Sequence, residues 1–218
     1  MKKFLNVRNV IIVLVIFVAI FAIVFMSPKN PYDSKTSKLY YKWVNQDKIT
    51  LKLSSKHGSQ EETLIFSTDK KNNKTIKIID VYDNDNKAKE DNRSHTKSIT
   101  IMENGKTHTY QINYDLKTYI DFGESENSED ISSWMETPQK IVNKSNFYVK
   151  RNIEINGKMV STEIFDKNKN YFGYIDGELV IVQTEEHDYA YDVISEEKFI
   201  EESLYEIPEG FTLNENVE

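Results

Sequence analysis

Apolar and polar side chains alternate with a period of two along most of the chain after residue 48, and this feature constrains the fold most. Ile49, Leu51 and Leu53, for example, are each separated by one polar residue. Successive side chains of a β-strand point to opposite faces, so the pattern predicts strands that bury one face, as in antiparallel sheets. Further strands are predicted at residues 64–66, 76–81, 99–101, 110–114, 119–122, 147–155, 159–165, 171–175, 179–183 and 189–193, with 204–207 as the last. The fold class is therefore predicted as mainly β (α+β).

Three dipeptides between these segments indicate tight turns: Asn104-Gly105, Asn156-Gly157 and Asp176-Gly177. Asn-Gly and Asp-Gly favour the type I′ hairpin turn, because both residues tolerate a positive φ. Hairpins of this kind join strands that are neighbours in sequence. An antiparallel meander is the topology that they predict.

One clear helix is predicted at residues 34–46, where apolar side chains recur at helical spacing. Asp33 or Ser34 is its expected N-cap. Two interpretations exist for its aromatic residues, Tyr40 to Trp43. The first packs the apolar side of the helix against the sheet, and the second places these rings at a membrane interface. The first is favoured, because Lys38 and Lys42 occupy the opposite side of the helix.

The segments between the strands are more polar. Residues 83–94 are predicted as a mobile loop. Residues 124–130 form an acidic loop, followed by one or two helical turns that end before Pro138. A brief helix or turn is expected at 195–202, and residues 213–218 are expected to fray.

Residues 10–26 carry no polar side chain. As a helix, 17 residues span roughly 26 Å, close to the hydrocarbon thickness of a bilayer. Lys2, Lys3 and Arg8 precede this segment and the first acidic residue follows it, which predicts a cytoplasmic N-terminus and an exported C-terminal part. A cleaved signal peptide would be shorter and end in small residues. Bulky residues end this segment, so an uncleaved single-pass anchor is predicted.

The predicted organisation is a cytoplasmic tail (1–9), a transmembrane helix (10–27), a linker (28–33), one extracytoplasmic domain (34–212) and a C-terminal tail (213–218). The exported part holds all 35 acidic residues and 25 of the 28 basic residues, a net charge of −10. A surface with this charge repels nucleic acid, which is therefore excluded as a partner. The chain has no cysteine, so disulfides, a lipid-modified cysteine and a thiol nucleophile are all excluded. Its composition is typical of a bacterium with an AT-rich genome.

No catalytic, cofactor-binding or metal site is predicted. The histidines are scattered along the chain and none forms a pair on one helical face. Residues 185–188, Glu-Glu-His-Asp, are interpreted as a solvated acidic turn. Two segments, starting at Asp83 and Asp166, imitate calcium loops but lack the required glycine, and they are interpreted as hairpin loops. No nucleophile elbow and no glycine-rich phosphate loop is present.

Two short motifs resemble segments of the LolA-like family of envelope proteins. The first is Tyr205-Glu206-Ile207-Pro208-Glu209-Gly210-Phe211, near the end of the chain, and the second is the hairpin Tyr171-Phe172-Gly173-Tyr174-Ile175-Asp176-Gly177-Glu178-Leu179. The resemblance implies a curved, incompletely closed antiparallel β-barrel, with short helices that cover an apolar concave face. In that family the concave face holds acyl chains or a lipoprotein, and the resemblance supplies no catalytic residue.

The sequence thus predicts a non-enzymatic, membrane-anchored envelope protein that binds an apolar ligand (a lipid or a lipoprotein acyl chain) or senses the state of the envelope. The alternative is a structural subunit of a membrane complex, such as secretion or conjugation machinery. Such subunits often pair one transmembrane helix with a small α+β domain, but that domain type has more helix than this chain offers. A partner protein of the envelope is compatible with both hypotheses.

Overall fold

A computed structural model describes residues 29–83, 94–126, 133–155, 157–165, 170–184 and 190–215, and for residues 133–137 it describes the backbone alone. The predicted cytoplasmic tail and transmembrane helix lie outside these ranges, as does most of the predicted loop at 83–94. Within the described ranges, no helix has the length and apolar character needed to cross a membrane.

The described part of the chain contains twelve strands and two α-helices. The helices are α1 (Lys35–Asn45) and α2 (Ser133–Lys144). The strands are β1 (Lys48–His57), β2 (Gln60–Asp69), β3 (Lys74–Asp83), β4 (Ser94–Glu103), β5 (Lys106–Asn113), β6 (Thr118–Ser125), β7 (Tyr148–Ile155), β8 (Lys158–Phe165), β9 (Asn170–Ile175), β10 (Glu178–Gln183), β11 (Tyr191–Glu196) and β12 (Thr212–Leu213). The mainly β class is confirmed.

All twelve strands form one sheet, in the order β12-β6-β5-β4-β3-β2-β1-β11-β10-β9-β8-β7. Two antiparallel meanders, β1–β6 and β7–β11, are joined where β1 pairs with β11. The added strand β12 pairs with β6 in parallel. The sheet is open, since β7 and β12 lie at its two edges rather than pairing with each other in the part of the chain described.

The two α-helices pack on the same face of the sheet and on each other. Ser34 caps α1, because its hydroxyl accepts a hydrogen bond from the backbone N–H of Ser37. Trp43 is buried and Leu39 packs against the same core, which confirms that the apolar side of α1 faces the sheet. The predicted linker continues the fold: Lys29 pairs with Tyr148 at the start of β7, and residues 31–33 form one 3-10 turn.

The opposite face of β2–β6 is covered by the C-terminal strap, defined as residues 197–215. The backbone N–H of Ile200 donates to Ser67 on β2, and Phe211 packs edge-to-face on Tyr114, with ring centroids 5.4 Å apart. The strap then pairs with β6, where the N–H of Asn214 donates to the carbonyl of Tyr119. The strap buries a second core of isoleucine side chains: Ile76, Ile78, Ile99, Ile112 and Ile200.

The tight-turn predictions are confirmed where both turn residues are described. Asn104 and Gly105 have φ values of 53° and 81°, and Asp176 and Gly177 have values of 50° and 92°. At the third turn, Gly157 has a φ of 74°. The two motifs that resemble the LolA-like family lie in described segments. The second forms the hairpin between β9 and β10.

Three predicted boundaries are wrong. Helix α2 does not end before Pro138 but continues to Lys144, because Val142 is buried in the core and holds the last turn. Residues 204–207 form no strand; residues 202–204 form a 3-10 turn, and no neighbouring strand pairs with this part of the strap. The last strand instead lies at 212–213, so residue 213, predicted as the start of a frayed tail, pairs with β6.

Candidate functional site

A narrow apolar space lies between the helices and the sheet, and is called the apolar interior below. The residues that line it are Trp43, Leu51, Leu53, Phe66, Pro138, Phe172, Leu179, Val182 and Val193. They come from both helices, from both meanders and from the β1–β11 junction. Its volume is about 20 Å³, enough for roughly one water molecule. The side chains already fill most of this space.

Helix α1 is fixed to the sheet by a buried carboxylate. Glu163 on β8 is only 2% exposed, and it accepts hydrogen bonds of 2.9 Å from the backbone N–H groups of Lys35 and Thr36. Unpaired N–H groups at a helix N-terminus carry partial positive charge, which stabilises an anion there. The ammonium group of Lys150 lies 3.5 Å from the same carboxylate.

Two tyrosines lie near Glu163, and one of them, Tyr174, joins its hydrogen-bond network through Thr36. The hydroxyl of Thr36 donates to Glu163, so the hydroxyl of Tyr174, 2.9 Å away, is left to donate to Thr36. Burial raises the pKa of Tyr174 and keeps it protonated as a donor. Burial, followed by the negative charge of Glu163, also raises the pKa of Tyr148 to about 12. The start of α1 is therefore held by a fully satisfied polar network.

Helix α2 is attached less firmly. Pro138 lies inside it, and a proline there removes the hydrogen bond to the carbonyl four residues earlier. The described attachments of α2 include Val142 and Ile141 in the core, Pro138 at the apolar interior, the packing on α1, and a 3.4 Å hydrogen bond from the hydroxyl of Tyr32 to Asn143. No buried ionic contact like that of Glu163 holds α2 among the residues whose side chains are described. Among the side chains described, the buried carboxylate network therefore holds α1, and the core contacts of α2 are apolar.

A larger, polar groove of about 870 Å³ lies on the other face, between the strap and β3–β6. Ion pairs Lys74–Glu103 (3.4 Å) and Lys106–Glu124 (2.9 Å) line it. The ammonium group of Lys74 also lies 5.3 Å from the ring centroid of Tyr205 on the strap. Both ion pairs join neighbouring strands of the sheet, whereas the contact of Lys74 with Tyr205 joins the sheet to the strap.

Two His–Asp pairs lie on this strap-covered face. Nε2 of His108 lies 2.6 Å from Asp121, and Nε2 of His95 lies 2.9 Å from Asp80. The hydrogen bond with His108, helped by the N–H of Gly123, lowers the pKa of Asp121. Sequence reasoning missed both pairs, because each joins neighbouring strands and becomes visible only once the strand register is known. Each histidine ring also stacks on a tyrosine, His108 on Tyr110 and His95 on Tyr114.

These pairs do not form metal sites: across the described ranges, no three His, Asp or Glu side chains are grouped as potential ligands. The predicted acidic turn at 185–188 lies outside those ranges, as do residues 84–93 and 166–169 of the two calcium-like segments. Asp83 is placed at the end of β3, where its carboxylate accepts a hydrogen bond from Ser59.

Comparison with known proteins gives little guidance. No protein-family profile matches the chain, and no curated protein matches it. One solved structure with similarity is described as an uncharacterized conserved protein from Thermus thermophilus. It shares 6% identity, the match covers 83% of this chain and 99% of that one, and the TM-score is 0.37. A TM-score this low supports no inference about fold or function, and the LolA-like resemblance has no support from these comparisons.

Proposed function

We propose that the protein is a non-enzymatic, membrane-anchored binding module that takes up an apolar chain, such as a lipid acyl chain, between α2 and the sheet. The observation that carries the proposal is the lining of the apolar interior, where every residue is apolar. A lining without polar groups gives no directional recognition, so it suits hydrocarbon and not a polar metabolite.

The closed conformation has no room for such a chain, so binding requires α2 to move. Displacing α2 uncovers the sheet residues Leu51, Phe66 and Val193, while the Glu163 network keeps α1 in place. The ligand then replaces the contacts that α2 made with the sheet. Each methylene that becomes buried contributes about 0.8 kcal/mol.

The test is a titration of the fragment from residue 29 onwards with fatty acids of increasing length, from octanoate to stearate. All described elements belong to this fragment, and a melting curve checks that it folds. Affinity is expected to rise by up to about fourfold per methylene, with little effect of salt. Affinity that is independent of chain length would reject the proposal.

Two neighbouring residues of β11 supply matched variants. Val193 is 7% exposed and lines the apolar interior, whereas Ile194 is 55% exposed on the opposite face. Val193→Phe fills the site and is expected to weaken binding, while Ile194→Phe leaves it unchanged. Equal effects of the two substitutions would place the ligand elsewhere.

The alternative, a structural subunit of a membrane complex, is favoured by one observation. The outer edge of β7 pairs only with Lys29, at Tyr148, so within the described ranges no strand covers its backbone from residue 149 to 155. Open edges of this kind accept a strand from a partner protein. Asn152→Pro removes a backbone N–H from this edge and is expected to disrupt such a complex without preventing fatty-acid binding.

A further inference from the structure

The charge of the exported part is divided unevenly between the helices and the rest. Residues 29–45 and 133–144, called the helix layer below, contain six lysines and two acidic residues, a net charge of +4. The whole exported part carries −10, so everything outside the helix layer carries −14. The lysines of the layer are Lys29, Lys35, Lys38, Lys42, Lys140 and Lys144.

Five of these lysines are exposed, and Lys29 is half-buried. On α1, exposed Lys35, Lys38 and Lys42 follow each other at spacings of three and four residues, which places them on one side of the helix. Lys140 and Lys144 are exposed at the same spacing on α2. Because the opposite sides of both helices are buried in the core, the outer side of the helix layer is a basic surface.

The lysines of this surface contact a carboxylate and an aromatic ring. Lys42 pairs with Glu197 at 3.1 Å, on side chains that are both more than half exposed. Such exposed pairs contribute little. Lys35 lies over the ring of Tyr174, with 5.4 Å to the centroid, and that contact leaves its charge in place.

Two exposed aromatic residues accompany the lysines. Tyr32 is 54% exposed and lies next to α2, to which its hydroxyl bonds, and Tyr41 is 53% exposed between Lys38 and Lys42 on α1. Tyrosine rings placed at the level of lipid headgroups are a common feature of membrane surfaces, because the ring is apolar and its hydroxyl is polar.

The chain enters the fold beside this surface. Lys29 pairs with Tyr148, and the 3-10 turn at 31–33 leads directly into α1. The predicted transmembrane segment ends at residue 27. Two extended residues reach only about 7 Å, so the predicted anchor holds Lys29, at the start of the helix layer, within about one Debye length of the lipid surface.

We propose that the outer side of α1 and α2 docks on an anionic lipid surface, with Lys38 and Lys144 at the headgroups and the acidic remainder of the domain turned away. Attraction of the +4 layer and repulsion of the −14 remainder both favour this one orientation. The inference concerns orientation and does not depend on whether the apolar interior takes up a ligand.

The test uses the full chain incorporated into vesicles, either purely zwitterionic or containing phosphatidylglycerol. Because the chain has no cysteine, Tyr41→Cys and Ile194→Cys each accept a single nitroxide label. Relaxation by a nickel chelate on the lipid headgroups then reports how close each label lies to the surface. In anionic vesicles the label at 41 is expected to relax faster than the label at 194, and this difference is expected to disappear at high salt.

A charge-reversal pair controls for local effects. Lys38→Glu with Lys144→Glu is expected to abolish the difference, whereas Lys52→Glu with Lys71→Glu, on exposed lysines outside the layer, is expected to preserve it. The proposal is overturned if the two labels relax alike in anionic vesicles, or if high salt leaves the difference between them unchanged. It is also overturned if dextran sulfate binds the chain through these lysines while vesicles do not.

Discussion

The carboxylate of Glu163 accepts two hydrogen bonds from Thr36, one from its backbone N–H and one from its hydroxyl, both at 2.9 Å. The two residues are 127 positions apart in the chain. Their contact joins the first helix of the domain to strand β8 of the second meander. It determines where α1 begins relative to the sheet.

Replacing Glu163 with alanine is expected to lower the free energy of unfolding by about 3 kcal/mol, because buried donors at the start of α1 lose their acceptor. Glu163→Gln retains one carbonyl oxygen and is expected to lose less. Urea unfolding of the fragment from residue 29 measures both. The control is Glu154→Ala on the exposed side of β7. If Glu163→Ala unfolds at the same urea concentration as this control, the carboxylate does not hold the helix.

The position of Gly177 is expected to require glycine, because a side chain there would strain the backbone. At a φ of 92°, a β-branched residue is strained, so Gly177→Val is expected to destabilise the domain by about 1 kcal/mol or more. Asp176→Gly is the matched control, since Asp176 itself has a positive φ and glycine adopts it freely. Thermal melting compares the two variants. An unchanged melting temperature for Gly177→Val contradicts the turn geometry.

Asp69 is expected to make the domain sensitive to acid. Its hydrogen bond with Lys48, together with those from Asn72, holds its pKa below the ordinary value of 3.8. A lowered pKa in the folded state stabilises the fold above about pH 3.8, and this contribution is lost as the pH falls through the lower, folded-state pKa.

The free energy of unfolding, measured between neutral pH and acid, is therefore expected to fall less steeply below about pH 4 in Asp69→Asn than in the unmodified domain. Asp47→Asn, at an exposed position, serves as the control. An identical slope in all three proteins rules out a role for Asp69 in acid sensitivity.

Phe211 is expected to hold the end of the strap. Its edge-to-face contact with Tyr114 links the strap to β5 just before β12 begins. Phe211→Ala is expected to cost about 1–2 kcal/mol and to speed amide exchange at residues 211–214. Leu213→Ala removes an exposed side chain from the same segment and is expected to change exchange little. Equal exchange in both variants argues against an anchoring role.

Pro138 is expected to set the mobility of α2. Pro138→Ala restores a backbone donor inside the helix, so amide exchange in residues 139–144 is expected to slow. If apolar ligands enter by displacing α2, fatty-acid affinity falls in the same variant. Gln139→Ala alters the adjacent residue and keeps the proline. Slower exchange with unchanged affinity would show that α2 is not the entrance.

Local features of the sequence predicted the local structure well. The turn at Asp176-Gly177 follows from two residues that tolerate positive φ, and the position of Trp43 follows from helical spacing. The helix was predicted to end before Pro138, because proline usually ends helices. The burial of Val142 one turn later outweighs that local effect. The strand predicted at 204–207 failed for a related reason, since Tyr205 packs onto the sheet face while the segment pairs with no described strand.

The parts of the candidate sites that could not be predicted are those that depend on register between distant segments. His108 meets Asp121 across β5 and β6, close to a β-bulge that shifts the register between these strands. Glu163 is an ordinary strand residue in the sequence, and its role appears only when β8 is placed under the first turn of α1. Neither relationship leaves a spacing or a motif that sequence inspection can detect.

The junction of the two meanders has a consequence for how the chain folds. Leu53 on β1 pairs with Val193 on β11, a separation of 140 residues. Contacts this distant in sequence close slowly, and the chain emerges from the ribosome with its N-terminus first. The edge of β1 that pairs with β11 therefore stays unpaired until nearly the whole domain has been synthesised. This unpaired edge of β1 is the point at which nascent chains are most prone to pair with one another.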